Sequence, residues 1–473
     1  MSTNKKMRKP DKTYGNTYLS GIIRAILVSL LLIIQITFIV ALSLAMTRYN
    51  IYFYFLLEII ALVNGSNSTS YKIGWISIVL ILPIAGHIMF ILWGDSSKTK
   101  QIKKINAKFR AANEYIKDDK DAKQEFEKLY PLWKRTSDYL SSEKLPLYKN
   151  NSIEYFSMGE DAAKKMIEDI YNAEEFILLE MFIIAEGTFW DKIHEALLDR
   201  IQAGVEVKLL YDDFGTMFRT NKYFKGDLEE EGFEVREFNP IHKYMDKLYF
   251  NYRTHQKILV VDGNIGYTGG LNIADEYINQ YRRFGKWKDC AVRIEGEATK
   301  GLVITFLQMW DVSGNGKTVD YEKYISNVKF KENNSFCHII SDGPANNPSN
   351  PIEYLYRQMM INSQQFIYIT TPYLVVEDNM VNELIIAAQS GVDVRIMTPF
   401  IPDKKSIKLV TNYNYGKLLA AGVKIYEYKP GFIHAKNVVN DTSAIVGSIN
   451  MDYRSFYLHY ECGAWICDKK IVN

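Results

Sequence analysis

A duplicated α/β unit is the feature that most constrains the fold of this chain. The first copy alternates strand patterns at 153–156, 175–184 and 205–211 with helical patterns at 159–171 and 188–203. The second copy repeats that order, with strand patterns at 336–341, 365–371 and 392–398 and helical patterns at 352–361 and 379–389. Such alternation predicts mixed sheets that contain parallel strands and are flanked by helices.

Local sequence supports the duplication. Residues 203–208, AGVEVK, match residues 390–395, SGVDVR, and residues 231–235 match residues 421–425. One such match arises easily by chance between two α/β segments, whereas several in the same order favour a repeat. We therefore expect two α/β repeats, at 151–325 and 326–473.

Each repeat ends with the same polar motif, H-x-K-x4-D followed by G-[GS]-x-N. The first copy consists of His255, Lys257, Asp262 and Asn272. The second copy consists of His434, Lys436, Asp441, Ser448 and Asn450. A single HxK pattern is weak evidence, but two copies at equivalent places in a duplicated unit are strong evidence for a chemical role.

The spacing of the motif indicates a phosphate site. Alternate residues of an extended segment face the same way, so His255 and Lys257 point into one site, as do their counterparts in the second copy. A lysine beside each histidine discourages a divalent metal and suits a phosphate group. Asn272, Asn450 and Ser448 are candidates for hydrogen bonds to phosphate oxygens. We expect no metal and no cofactor.

Other carboxylates in and after the motifs have supporting roles. Asp262 stands beside Gly263 in a typical hairpin-turn pair and faces away from Lys257, so we assign it and Asp441 a supporting role and not proton transfer. A neutral histidine nucleophile needs its other ring nitrogen held by an acceptor. Asp289 and Glu461, each downstream of one motif, are the candidates. His194, His242, His338 and His459 have no partner in the other repeat and are interpreted as core or surface residues.

The paired motifs resemble those of the phospholipase D superfamily, and their surroundings resemble bacterial cardiolipin synthases. The resemblance lies in residues 266–273, residues 447–455, Thr371-Pro372-Tyr373 and the segment from Trp75 to Gly94. It implies two tandem phospholipase D-type repeats packed face to face after N-terminal transmembrane helices. It also implies that the histidine, lysine and aspartate of both motifs form one catalytic set. Two departures are a turn after Asp441 that is one residue shorter than that after Asp262, and Asn440, where an apolar residue is usual.

The N-terminal region predicts a membrane anchor at 1–95. Uncharged runs at 25–47 and 73–94 predict spans at about 22–46 and 73–94, with a short apolar segment at 51–63 between them. Basic residues precede the first run and follow the second, in a charged connector at 96–150, and they attract anionic lipid. Two crossings place both flanks, and hence the catalytic repeats, on the cytoplasmic side of the cell membrane. Three spans remain an alternative.

The resemblance implies a phosphatidyltransferase that makes cardiolipin and glycerol from two phosphatidylglycerol molecules through a phosphatidyl-histidine intermediate. A phosphodiesterase that hydrolyses phospholipid or nucleic acid, and an inactive membrane scaffold, are the alternatives. The chain has no basic stripe near the motifs, which argues against a nucleic-acid partner. Its four cysteines form no CxxC pair, which fits a reducing cytosol. The sequence does not predict the oligomeric state.

Overall fold

The computed structural model describes residues 112–240, 252–314, 318–325, 330–344 and 349–472. It also describes 69–93 and scattered positions between 26 and 41 and between 105 and 109. The predicted segment 51–63, most of the predicted span 22–46, and His242 lie outside the described residues.

The strands and helices are as follows. The strands are β1 (Leu147–Tyr148), β2 (Asn151–Phe156), β3 (Phe176–Met181), β4 (Glu206–Asp212), β5 (Glu234–Phe238), β6 (Arg253–Thr254), β7 (Ile258–Val261), β8 (Ile265–Gly269), β9 (Ala291–Gly296), β10 (Phe336–Asp342), β11 (Phe366–Thr370), β12 (Leu374–Val375), β13 (Asp393–Pro399), β14 (Lys424–Tyr428), β15 (Asn437–Asn440), β16 (Ala444–Gly447), β17 (Met451–Asp452) and β18 (His459–Cys467). The helices are α1 (Thr69–Ile81), α2 (Pro83–Trp93), α3 (Lys120–Leu129), α4 (Lys134–Ser142), α5 (Gly159–Tyr171), α6 (Thr188–Gln202), α7 (Asp213–Thr216), α8 (Phe224–Glu230), α9 (Thr299–Ser313), α10 (Pro351–Ile361), α11 (Asp378–Gln389), α12 (Lys405–Ala420), α13 (Tyr453–Tyr457) and α14 (Lys469–Val472).

Two mixed sheets have the same strand order. The first sheet runs β2-β9-β8-β7-β3-β4-β5, and the second runs β10-β18-β16-β15-β11-β13-β14 with β1 added at one edge. In each sheet three strands are parallel, β3-β4-β5 and β11-β13-β14, and the other strands of these two orders pair antiparallel. Strand β6 of the first repeat pairs parallel with β18 of the second sheet. The expected mixed α/β fold with two tandem repeats is confirmed.

Apolar side chains form three core layers. One layer lies between the first sheet and helices α5, α6 and α8, and another lies between the second sheet and helices α3, α4, α10, α11 and α12. The third layer joins the two sheets and includes Leu302, Phe306 and Trp310 of α9. Because α9 is almost wholly buried, it fixes the two repeats against each other.

The predicted connector contributes to the second repeat. Strand β1 pairs antiparallel with β10, which extends the second sheet into residues expected to precede both repeats. Trp133 packs on Trp465 of β18 with ring centroids 5.4 Å apart. Although charged residues dominate this region, a few of its large apolar side chains pack against the sheet.

The segment at 73–94, predicted as one membrane span, lies in two helices, α1 and α2, and not in one continuous helix. Helices α1 and α2 fold back on each other around Pro83, and the rings of Trp75 and Phe90 lie 5.4 Å apart. Proline lacks the amide hydrogen that a continuing helix requires. Gly86 permits the close contact, since a Cβ there would lie 2.6 Å from the carbonyl oxygen of Ile78. Among the described residues, no helix has both the length and the apolar character needed to cross a membrane.

Candidate active site

A cavity of about 350 Å³ lies between the repeats and is lined by His255 and His434. Residues that follow the carboxyl ends of the parallel strands form its walls, including Phe182 and Ile183 after β3 and Phe214 after β4. Sheets that contain parallel strands commonly bind ligands at this edge. Both predicted histidines therefore face one site.

His255 is fixed by the second repeat. Strand β6 pairs with β18 of the second sheet, and the amide of His255 donates to the carbonyl of Tyr460 at 2.8 Å. The Nδ1 atom of His255 lies 3.0 Å from both carboxylate oxygens of Glu461, which is fully buried on β18.

His434 is fixed by the first repeat in the same manner. Its amide donates to the carbonyl of Lys288 at 2.7 Å, and its Nδ1 atom lies 2.8 Å from Asp289 Oδ2. The indole of Trp287 and the amide of Cys290 donate to the same carboxylate at 3.2 and 2.9 Å. Each histidine is thus held by a carboxylate from the opposite repeat. The sequence did not predict which carboxylate would hold which histidine.

The carboxylates determine the protonation of the imidazoles. Since a carboxylate only accepts hydrogen bonds, each Nδ1 is assigned a hydrogen, which leaves the Nε2 lone pair for chemistry. Lys436 Nζ also lies 2.9 Å from His434 Nδ1, and in this tautomer it does not donate a hydrogen bond to that atom. Burial lowers the pKa of His255 well below its usual value, although Glu461 opposes the shift. Burial and the Lys436 cation lower the pKa of His434 to about 4. Both histidines are therefore neutral at neutral pH.

The two motif lysines are buried beside the histidines. Lys257 and Lys436 are 2% and 1% exposed, and each donates to the carbonyl of the histidine two residues earlier. Burial lowers the pKa of Lys257 to about 7, and the charge of Lys436 adds to the shift. Burial likewise lowers the pKa of Lys436. Neither lysine belongs to the cavity lining, so each acts on a bound phosphate anion through its charge, and the anion would compensate both cations.

The predicted phosphate-binding residues separate into two groups. Asn272 and Asn450 line the cavity. The Asn272 amide is oriented by the amide of Ile183 and donates to Tyr277, while Asn450 Oδ1 has no hydrogen-bond partner among the described residues.

Ser448 does not fit the phosphate-binding role assigned from sequence. Its hydroxyl donates to Glu461, and it also receives a hydrogen bond from the amide of Cys462 at 3.0 Å. The equivalent Gly270 packs against the other carboxylate, since a Cβ there would lie 2.1 Å from Asp289 Oδ1. Both residues of this motif position therefore contact the carboxylate that orients a histidine.

Asp262 and Asp441 lie outside the cavity lining. The carboxylate of Asp262 accepts from the amides of Glu174, Glu175 and Phe176 at 2.8–2.9 Å. The carboxylate of Asp441 accepts in the same way from the amides of residues 364–366. Each aspartate ties its hairpin to the amino end of a central strand, which is a structural role. In the shorter second turn, the buried Asn440 accepts from the amides of Thr442 and Ser443.

His459 lies in the site, contrary to its interpretation as an ordinary core or surface residue. Its ring centroid is 5.4 Å from that of His255, and its Nδ1 is 3.7 Å from Glu461 Oε1. Arg454 Nε donates to its Nε2 at 3.1 Å. The signal was present in the sequence, because His459 and Glu461 are two residues apart on one strand and share a face.

Three arginines away from the motifs line the cavity. Arg219 and Arg283 approach the buried carboxylate of Glu276 at 3.0 and 3.6 Å. Arg253 is fully buried against Asp212 at 2.9 Å. These arginines are scattered along the chain, so their grouping depends on the fold.

His255, His459 and Glu461 offer three potential metal ligands within 4.8 Å of one another. Two features oppose a cation there. Because His459 Nε2 accepts from Arg454, its Nδ1 carries hydrogen and offers no lone pair. The Lys257 ammonium group also repels a dication. The expectation of a metal-free site stays a prediction.

Comparison with known proteins identifies the family to which this chain is similar. The family model described as "Cardiolipin synthase, PLD-like domain" matches residues 166–310 and 356–473, more than half of the chain. Cardiolipin synthase 1 of Staphylococcus epidermidis is 32% identical over 424 residues, which cover 88% of this chain and 86% of that protein. An uncharacterized protein of Streptococcus mutans is 37% identical over 417 residues, which cover 86% and 89%.

A solved structure shares the fold. The crystal structure of phosphatidylserine synthase from Haemophilus influenzae superposes with a TM-score of 0.53, covering 71% of this chain and 86% of that one at 16% identity. The chain therefore belongs to the cardiolipin synthase family of the phospholipase D superfamily and is a phosphatidyltransferase of that type.

Proposed function

We propose that the protein is a cardiolipin synthase that converts two phosphatidylglycerol molecules into cardiolipin and glycerol. The observation that carries the proposal is the pair of histidines in one cavity, each held by a carboxylate of the other repeat. Such a pair suits a double displacement, since one imidazole attacks phosphorus while the other transfers protons. The names of the relatives support a phospholipid substrate.

The proposed first step forms a phosphatidyl-histidine. The Nε2 lone pair of His255 attacks the phosphorus of the first lipid, and the bond from phosphorus to the terminal glycerol oxygen breaks. His434, protonated once the anionic lipid is bound, gives its proton to that oxygen. Lys257, Lys436 and Asn450 compensate the charge that develops on the phosphate oxygens.

The proposed second step resolves the intermediate. The terminal hydroxyl of a second phosphatidylglycerol attacks phosphorus, and neutral His434 accepts its proton. The bond from phosphorus to His255 breaks, and cardiolipin leaves. One phosphodiester replaces another, so no nucleotide is consumed.

The proposal includes the arrangement at the membrane. Residues 1–95 form the anchor, residues 96–150 connect it to the repeats, and the repeats at 151–325 and 326–473 lie on the cytoplasmic side of the cell membrane. The basic flanks of the apolar N-terminal region support this orientation. Protection of residues 150–473 from protease added to intact cells, with cleavage after lysis, tests it.

The decisive experiment is incubation of the purified full-length protein with phosphatidylglycerol, followed by mass spectrometry of the lipids. Cardiolipin and glycerol are expected, and His255→Ala or His434→Ala abolishes both. His194→Ala is the matched control, because that histidine is bonded to Glu231 outside the cavity. Phosphatidic acid without cardiolipin would instead identify a hydrolase.

Acid quenching during turnover tests the intermediate. We expect a phospho-adduct on the peptide that contains His255. An adduct on the His434 peptide reverses the two roles, and no adduct on either peptide under full turnover contradicts the covalent step.

A further inference from the structure

Two segments at the mouth of the cavity expose large apolar side chains. One follows β4 and the other follows β13, which occupy equivalent positions in the two sheets. Both segments leave the sheet on the side of the cavity, since Phe214 of the first and Lys404 of the second belong to its lining. The duplicated fold therefore places one such segment on each side of the mouth.

The apolar side chains of these segments are open to water. In the first segment Phe214 is 44% exposed and Tyr223 is 62% exposed, and Phe218 is also exposed. In the second, Leu409 is 72% exposed and Tyr413 is 68% exposed, and Phe400 is also exposed. We call these six residues the apolar rim. Phe214 belongs to the cavity lining, and the other five residues lie in the two segments that lead away from it. Contiguous exposed apolar surface marks an interaction site more often than scattered single residues do.

Basic residues alternate with the rim. Lys222 lies in the first segment, which also contains Asp213, and Lys404 and Lys405 lie in the second, which also contains Asp403. Arg219 and Lys408 are already paired with Glu276 and Glu427. The side chain of Lys404 is 62% exposed. Aromatic and aliphatic groups interleaved with cations are the composition of surfaces that lie on anionic bilayers. The cores of protein interfaces are instead depleted in lysine.

The cavity size also favours a lipid surface. At about 350 Å³ it lies at the small end of ligand sites, which span roughly 300–1,000 Å³. That volume accommodates headgroups but leaves the acyl chains of two phospholipids outside. Chains that remain in the bilayer require the mouth of the cavity to meet the bilayer surface.

We propose that the apolar rim docks the cavity mouth on an anionic bilayer, so that headgroups enter while acyl chains stay in the membrane. This inference rests on the proposed lipid substrate and adds the surface through which that substrate arrives. Leu409 and Tyr413 insert at the level of the headgroups, and the neighbouring lysines contact lipid phosphates.

Depth-dependent fluorescence quenching tests the docking without measuring catalysis. The full-length chain carrying Leu409→Cys is labelled with an environment-sensitive fluorophore and reconstituted in vesicles of phosphatidylcholine and phosphatidylglycerol. All four native cysteines are buried, so the introduced thiol is labelled selectively. Ile361→Cys is the matched control, because Ile361 is 54% exposed but lies just before β11, at the edge of the sheet opposite the cavity.

Quenching by lipids brominated near the headgroup is expected to be at least threefold stronger for the label at position 409 than for that at position 361. Equal quenching of the two labels overturns the docking. Shielding of position 409 that depends on protein concentration and not on lipid also overturns it, since it identifies a second copy of the chain as the occupant.

A kinetic comparison uses the variants Leu409→Asp and Tyr413→Asp. We expect turnover of phosphatidylglycerol in vesicles to fall at least tenfold, with turnover of a short-chain, dispersed phosphatidylglycerol unchanged. Equal loss on both substrates contradicts docking. Preferential quenching in a protein that makes no cardiolipin would leave the docking intact and refute the proposed function, so the two failures are distinguishable.

Discussion

Replacing Glu461 by glutamine tests the central feature of the site, a carboxylate that crosses from one repeat to hold the catalytic histidine of the other. The variant keeps the shape of the side chain but removes the negative charge 3.0 Å from His255 Nδ1. A glutamine amide can also present its nitrogen to Nδ1, which favours the wrong tautomer of the imidazole.

The size of the effect follows from the distance. Two unit charges 3.0 Å apart interact by about 5.5 kcal/mol at an effective dielectric constant of 20, and hydrogen bonds to charged groups contribute about 1.5–3 kcal/mol. A loss of about 3–4 kcal/mol in the transition state lies between these values. At roughly 1.4 kcal/mol for each factor of ten, kcat should fall by about 10²–10³.

The assay is cardiolipin formation from phosphatidylglycerol in mixed micelles, together with a thermal-unfolding measurement on each variant. Ser448→Ala is the matched control, because it removes one hydroxyl from the same carboxylate but keeps the negative charge beside His255, so it should cost less activity than Glu461→Gln. A folded Glu461→Gln protein with activity within threefold of the original would refute the role given to the crossed pair.

Four further outcomes are expected. The value of kcat/KM should fall as pH rises through about 7, because Lys257 of the free enzyme loses its proton there. The value of kcat should persist to higher pH, because a bound phosphate keeps Lys257 protonated. A kcat/KM that stays flat to pH 9 contradicts this. Asp262→Ala should lower the free energy of unfolding by about 2–3 kcal/mol, since three amides lose their acceptor. The kcat of the folded protein should be unchanged, and a large loss of kcat in the folded protein would show a direct catalytic role. His459→Asn should move the acid limb of kcat/KM to higher pH by removing a neighbour that lowers the pKa of His255; an unmoved limb would leave His459 a packing role. Activity should survive EDTA, and loss on chelation with recovery on adding a metal contradicts the metal-free site.

Much of the fold was accessible from sequence because the unit occurs twice. Strand and helix patterns recurred in the same order in the two halves of the chain, and the structure has the same strand order in both sheets. The spacing of histidine and lysine was equally informative, since two residues that are two positions apart on an extended segment point to the same face. The turn chemistry of Asp262 and Gly263 was local as well, and both residues adopt positive φ.

Contacts between distant segments were not accessible. Spacing along the chain relates Asp289 to the first motif and Glu461 to the second, yet each carboxylate holds the histidine of the other repeat. That exchange depends on β6 pairing with β18 across the interface, which no local pattern encodes. The same limit explains why Ser448 was assigned to phosphate and why β1 was missed at the edge of the second sheet.

The two motifs look alike in sequence, but their surroundings distinguish the histidines. Glu461 is approached by His255, Ser448 and His459, and Arg454 lies directly behind His459. Asp289 is contacted by His434, Trp287 and a backbone amide. Arg454 and the imidazole of His459 lie beside His255 and disfavour a positive charge on it, so His255 stays neutral. Glu461 holds the neutral ring in one tautomer, as a nucleophile requires. His434 has no second imidazole beside its carboxylate, and the Lys436 ammonium group 2.9 Å from its Nδ1 atom disfavours a lasting positive charge, so protonated His434 releases its proton readily to the leaving oxygen. The adduct expected on His255 is therefore a consequence of strand β18 in the second repeat rather than of the first motif itself.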